Sequence, residues 1–217
     1  SSASSFAALT LVTHDWFIKN SAGTKRAYLN KELAKMSQKG SGSSCRSFFS
    51  PWALWYSTGA ESIQVPYKNL KHQVLLCDES VKQVSSSEAH IRVLTSDLFK
   101  GRVERAEARL QKLVESLRAE NWKLSFEICW NEFWDMHLLF HTSVPAFMYM
   151  NETTIRALRT LHNNWIKTGD GPLVTMDAGS NIHLLYRQDQ EIQYKEVIKK
   201  FNSKMSLWTD EGYLAKV

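Results

Sequence analysis

The sequence predicts an α+β protein in which helices pack on a mostly antiparallel sheet. Three observations point there. His72-Gln-Val-Leu-Leu-Cys77 is a short apolar run bounded by polar residues, as a buried strand would be. Val103, Ala106, Leu110, Leu113, Val114 and Leu117 then recur at three- and four-residue steps, the spacing of one helix face. Lastly, the stretch Gly171–Tyr186 reads as two strands around the tight small-residue turn Asp177–Asn181.

Taken in order, residues 2–12 read as the start of a helix, with Phe6, Ala7, Ala8 and Leu9 in its apolar part. The cluster Lys19–Lys25 reads as a turn, and helical character returns from Tyr28 to Met36. Two glycines among small residues at 39–45 break that helix, and an apolar stretch interrupted by Pro51 follows. Residues 58–67 read as loop and short strand, and a boundary between two domains, 1–67 and 68–217, is expected just before the 72–77 strand. Beyond it come the amphipathic helix at 103–117, whose opposite face carries Arg, Glu and Lys, and a second helix from Glu127 to His141, stopped before Pro145. Asn151 is placed to cap a third, with Ile155, Leu158, His162 and Trp165 along one side. The strand pair and a last helix over 190–202 complete the order.

Composition narrows the function. Of 217 residues, 43% are hydrophobic and eight are tryptophan, ample for a packed core, which the tryptophans are expected to fill. The net charge of +5 suits a small anionic ligand, and the lack of a long basic run argues against nucleic acid. Cys45, Cys77 and Cys129 are odd in number and lack Cys-x-x-Cys spacing, against a disulfide framework or structural zinc and in favour of a reducing, cytoplasmic setting. No apolar stretch approaches the ~20 residues of a membrane helix, and no secretory signal pattern opens the chain, so no membrane partner is expected.

Four small-residue clusters are candidates for chemistry: 1–4, 40–47, 84–87 and 177–181. Glycine and serine let a backbone approach phosphate closely and offer N–H and O–H donors. Arg46 adds a planar fork suited to carboxylate or phosphate. Plainer readings stand beside these: Ser1 or Ser2 as a helix cap or the remnant of a tag, and Asp177 bonding its own turn. His137 and His141 share a helix face but lack a third ligand, since Glu132 and Asp135 fit no metal pattern; core or surface histidines are expected. Nothing resembles a hydrolase triad or nucleophile elbow.

In combination the clusters resemble one family, the mevalonate diphosphate decarboxylases of the GHMP kinase superfamily. "KGSGSSCRSF" at 39–48 is similar to the family's Gly-Ser-Gly-Ser-Ala-Cys-Arg-Ser stretch, and "VTMDAGSN" at 174–181 to its Thr-Met-Asp-Ala-Gly-Pro-Asn. "KQVSSS" at 82–87 resembles its Val-Ser-Ser segment, "MYMNETT" at 148–154 a late Tyr-x-Asn-Asp-Thr segment, and "SSASSFAAL" the end of the superfamily's phosphate loop. The resemblance implies the incomplete remainder of a ribosomal-protein-S5-domain-2-like, ATP-binding domain over 1–67 and a ferredoxin-like α/β sandwich over 68–217. It implies ATP-dependent decarboxylation of mevalonate 5-diphosphate to isopentenyl diphosphate, with Mg2+ on the nucleotide, in a homodimer. Asp177 would take the proton of the 3-hydroxyl and Arg46 would hold the substrate carboxylate. Ser41, Ser43 and Ser86 would donate to substrate oxygens, and Ser1, Ser2 and Ser4 would line the ATP phosphate site.

The chain departs from the family at Ser5, at Ser180 in place of proline, at Ser50-Pro51 in place of Gly-Gly, and at Ala89-His90 in place of Gly-Met. These leave open a GHMP small-molecule kinase, a decarboxylase of the monophosphate, or a non-catalytic binding subunit. Members of the family carry about a hundred residues before the phosphate loop, including the adenine-binding segment. The chain is therefore expected to be the C-terminal portion of a longer protein, inactive by itself.

Overall fold

Glycine, proline and polar residues divide the apolar runs into two bodies. The computed structural model describes residues 2–20, 27–56 and 58–216 and splits into Ser1–Lys68 and Asn69–Val217. In the first, α1 (Ser2–Asn20) and α2 (Asn30–Gln38) pack with a 3-10 coil over Gly42–Phe48, and a hairpin of β1 (Trp52–Tyr56) and β2 (Gly59–Ile63) follows. Ala7, Leu33, Ala34, Cys45, Phe48 and Ala60 form the core, with Tyr28 and Phe49 against it. Small side chains let these elements approach closely; a Cβ on Gly40 would fall 2.2 Å from the Phe6 ring.

The first helix, begun at 2–12, runs on to Asn20, because polar Thr13, His14 and Asp15 lie on a helix that no glycine or proline interrupts. The glycine-containing break after α2 is a tight coil. Ser37 Oγ donates to the buried Ser44 Oγ at 2.6 Å, and Ser44 donates on to the Ser41 carbonyl at 2.7 Å. Most of the expected turn at 19–25 lies outside the described residues.

The second unit is built on five antiparallel strands: β3 (Lys71–Leu76), β4 (Leu173–Met176), β5 (Ile182–Tyr186), β6 (Ser206–Thr209) and β7 (Gly212–Leu214). Their order is β4-β5-β3-β6-β7, with β3 central. Its helices are α3 (Ser86–Arg92), α4 (Arg102–Arg118), α5 (Trp122–Thr142), α6 (Glu152–Thr168) and α7 (Glu191–Phe201). Gln73, Leu75, Val174, Leu184, Tyr186 and Leu207 share one face by the two-residue alternation of strands, and all are fully buried. Burying a leucine there contributes roughly 2 kcal/mol. Gln73 is tolerated because its amide donates to the Tyr194 carbonyl at 3.0 Å and accepts from the Tyr186 hydroxyl at 2.8 Å.

Asn151 caps α6 as its sequence position predicts, accepting from the Thr154 amide at 2.9 Å. Helix α5 starts at Trp122 and not Glu127, because Asn121 caps it by accepting from the Leu124 amide. The short α3 and the closing hairpin β6–β7 are additions to the expected order. Of the tryptophans, Trp122 and Trp165 are buried, but Trp16, Trp55 and Trp208 are exposed, so the core takes only some of them.

The charge pattern of α4 is partly reversed. Val103 is 62% exposed, while Arg102, Arg105 and Arg109 turn inward to Glu132 and Asp135 on α5. Burial alone would raise the Asp135 pKa, but the bonds from Arg105 and Arg109 hold its carboxyl below the usual range. Among the described residues no helix is long and apolar enough to cross a membrane, and no group of three or more His, Cys, Asp or Glu is placed to hold a metal ion.

Candidate active site

Strand β4 delivers Asp177 one residue beyond its last pair with β5, Met176 opposite Ile182. The chain turns back at once, with the Gly179 amide donating to the Asp177 carbonyl at 2.8 Å. That turn leaves the Asp177 side chain exposed, in no ion pair among the described residues. The Asp177 carbonyl also accepts from His137 Nε2 at 3.1 Å. On the far side of the turn, the Ser180 carbonyl accepts from the Thr154 hydroxyl at 3.0 Å.

Lys82 is the cation of this site. Its ammonium donates to the Ala178 carbonyl and stands 5.5 Å from the centre of the Tyr149 ring. A Cβ on Gly179 would lie 3.0 Å from both Asp177 Oδ1 and Lys82 Nζ. Carboxylate and ammonium therefore border one small space that only a glycine leaves open. Tyr149 joins them, its hydroxyl donating to the Val84 carbonyl at 2.9 Å. Burial, then the negative Asp177, raises the Tyr149 pKa and keeps the phenol protonated. Lys82, Arg92, Tyr149, Asn151 and Asn181 line a cleft of about 870 Å3. Asp78 and Glu79 line it too, so the cleft carries both signs of charge, with Lys82, Arg92 and the two side-chain amides as donors for an oxygen-rich ligand. Replacing Gly179 with alanine is expected to push Asp177 and Lys82 apart and lower turnover about tenfold without unfolding the unit. Steady-state kinetics and a melting curve on the variant check this, and unchanged turnover contradicts it.

Ser86 is the exposed first residue of α3; the cap itself is Ser85, whose hydroxyl accepts from the Glu88 amide at 3.1 Å. In the first unit, Ser41 opens the 3-10 coil and Ser43 lies within it, its carbonyl accepting from Arg46 Nε at 3.3 Å. The Arg46 guanidinium is exposed and lies over the Trp55 ring at 5.8 Å. Ser2 is the first residue of α1 and Ser4 is exposed in its first turn, while Ser1 lies outside the described residues. The packing of Phe6 on Gly40 brings this helix start beside the Ser41–Arg46 coil. Hydroxyls, a helix N-terminus and a guanidinium thus collect on one part of the first unit.

Lys82 and Tyr149 were not singled out by sequence reasoning, although both lie inside motifs that it quoted. The signal available was their charge and aromaticity within those motifs. His137 was read as a core or surface histidine and is a core one; its link to Asp177 appears only in three dimensions.

A family model described as the mevalonate 5-diphosphate decarboxylase C-terminal domain matches residues 73–214. Diphosphomevalonate decarboxylase of Debaryomyces hansenii is 28% identical over 82% of the chain and 49% of its own length. The Saccharomyces cerevisiae protein of that name is 30% identical over 82% of the chain and 48% of its own length. The chain thus spans about half the length of these curated relatives. Among solved structures, a mevalonate diphosphate decarboxylase from Legionella pneumophila superposes with a TM-score of 0.89 at 41% identity, over 95% of this chain and 65% of that one. A structure described as MDDEF in complex with MVAPP, AMPPCP and magnesium gives a TM-score of 0.77 at 28% identity, over 94% and 62%.

Proposed function

The chain belongs to the mevalonate 5-diphosphate decarboxylase family, and from that premise we propose that the protein carrying it decarboxylates mevalonate 5-diphosphate at the expense of ATP. The observation that carries the reading is the exposed Asp177 carboxylate sharing one glycine-lined space with the Lys82 ammonium. In this reading Asp177 accepts the proton of the 3-hydroxyl as that oxygen attacks the terminal phosphorus of ATP. The phosphorylated oxygen then leaves with its bonding electrons as phosphate. The bond to the carboxyl carbon breaks, its electrons form the new double bond, and carbon dioxide departs. Once Asp177 has passed its proton to the departing phosphate it is again a carboxylate, a negative group that favours the electron-poor carbon, and Lys82 offsets charge on the transferred phosphoryl group.

Arg46 pairs with the substrate carboxylate, and Ser41, Ser43 and Ser86 donate to substrate oxygens. Ser1, Ser2 and Ser4 line the ATP phosphate site, where the dipole of α1 favours negative charge. Mg2+ usually sits on substrate phosphates with one or two protein oxygens and needs no protein cage. Bound there, the ion would neutralise charge on the phosphates. Two domains, the remainder of an ATP-binding domain over 1–67 and a C-terminal domain over 68–217, accompany this reading, as does a homodimer. Three free thiols, Cys45, Cys77 and Cys129, support a cytoplasmic setting.

The test is to incubate the intact protein with ATP, magnesium and mevalonate 5-diphosphate, following ADP and carbon dioxide together. Equal release of both is expected. ADP without carbon dioxide would make the protein a small-molecule kinase, and neither product would make it a binding subunit.

A further inference from the structure

We propose that His137 is the positioning residue for Asp177, holding the backbone of the catalytic turn from helix α5; the proposal rests on the reaction assigned above. The Asp177 carbonyl lies beyond the β4–β5 ladder, so no strand partner orients it. Two donors do so instead, the Gly179 amide within the turn and His137 Nε2 from a helix forty residues earlier. The next carbonyl, of Ala178, is held by Lys82. Among the described residues, only the His137 contact ties the Asp177 carbonyl to a long, packed element. Because the carboxylate hangs from the carbon next to that carbonyl, a swing of the peptide displaces the carboxylate with it.

The histidine is an expensive choice for mere packing. Its ring is fully buried, edge-on to Phe140 at 5.2 Å and to Phe133 at 6.5 Å. Donation to a carbonyl requires the proton on Nε2, which leaves Nδ1 as a buried acceptor with no hydrogen-bond partner. A leucine would leave no such orphan, and a buried polar atom left unpaired in a native core calls for a functional reason. Burial also pushes the His137 pKa down to about 4. The side chain therefore remains a neutral donor at physiological pH and adds no positive charge beside the carboxylate whose basicity the reaction uses.

The experiment compares His137→Leu with His137→Gln in the intact protein. Gln can place an amide N–H near the Nε2 position. His137→Leu is expected to lower kcat roughly 10- to 100-fold, the scale of a misplaced reacting group. KM for ATP and for mevalonate diphosphate should stay within about twofold, and His137→Gln should recover most of kcat. Amide exchange at Gly179 should speed up in His137→Leu and return toward the wild-type rate in His137→Gln. Unchanged kcat in His137→Leu, equal loss in both variants, or unaltered Gly179 exchange would each overturn the proposal. If His137→Leu fails to fold, His137→Asn replaces it, its amide being too short to reach the carbonyl. If the wild-type protein releases no carbon dioxide, the assigned reaction fails, while Gly179 exchange still decides whether His137 positions the turn.

Discussion

Asp177→Ala is expected to lower carbon dioxide release roughly 10²- to 10⁴-fold, the range that a general base contributes, while ATP binding changes little. The carboxylate is exposed at the end of β4 and makes no ion pair among the described residues, so its removal leaves no buried partner unsatisfied. The turn keeps both donors to the Asp177 carbonyl, Gly179 and His137, because those bonds are made to the backbone. The variant should therefore fold, and the loss should be chemical. Asp177→Asn sharpens the comparison, since it preserves shape but cannot accept a proton at neutral pH. Single-turnover release of carbon dioxide, beside calorimetric titration with ATP, separates the two effects. Near-normal turnover in either variant would remove Asp177 from the mechanism.

Stability should fall by about 3 kcal/mol as pH drops from 7 to 4, through the histidines of the sheet unit. His137 carries the largest share. Burial sets its folded pKa at about 4, helped by the neighbouring His141 and opposed by the bond to the Asp177 carbonyl and the Asp177 charge. An unfolded histidine titrates near 6.5. Below that value the unfolded chain takes up a proton that the folded ring resists. The contribution is thus complete above about 6.5, declines as pH falls and is spent below about 4. His72 and His183 act in the same direction. Burial lowers both, and His72 is lowered further by His183, whose ring nitrogen lies 3.1 Å away. Asp135 and Glu191, whose carboxyls Arg105, Arg109 and Lys71 hold below the usual range, add a loss of the same sign, but mainly below about pH 4.5, where the unfolded carboxylates take up protons. Urea unfolding at pH 7, 5.5 and 4.5 measures the decline, and His137→Leu should flatten it. An equal pH dependence in the variant would reject the assignment.

Much of the sheet unit was legible in the sequence because its signals are local. Burial on both faces makes β3 a near-continuous apolar run, and the Asp177–Asn181 cluster marks a turn between two short apolar strands. Asn151 was readable as a cap because its carboxamide bonds an amide three residues away. The misses are non-local. The inward arginines of α4 were read as a solvated face, since only Glu132 and Asp135, some thirty residues on, make the interior acceptable to them. The strands β6 and β7 are short, and Trp208 and Tyr213 on them are exposed, so they lack the apolar run that marked β3.

The site divides along the same line. By itself the sequence determined which residue types could meet phosphate and carboxylate, and the family they belong to. Motif chemistry resides in residues adjacent along the chain, where a glycine, a serine and a charge suffice to be recognised. Only the tertiary structure decided that Lys82 stands against the Asp177 turn and that His137 supports it. Those contacts span 96 and 40 residues. They exist because β3, β4 and α5 are each placed by burying apolar side chains elsewhere, and the polar groups at their ends meet as a consequence.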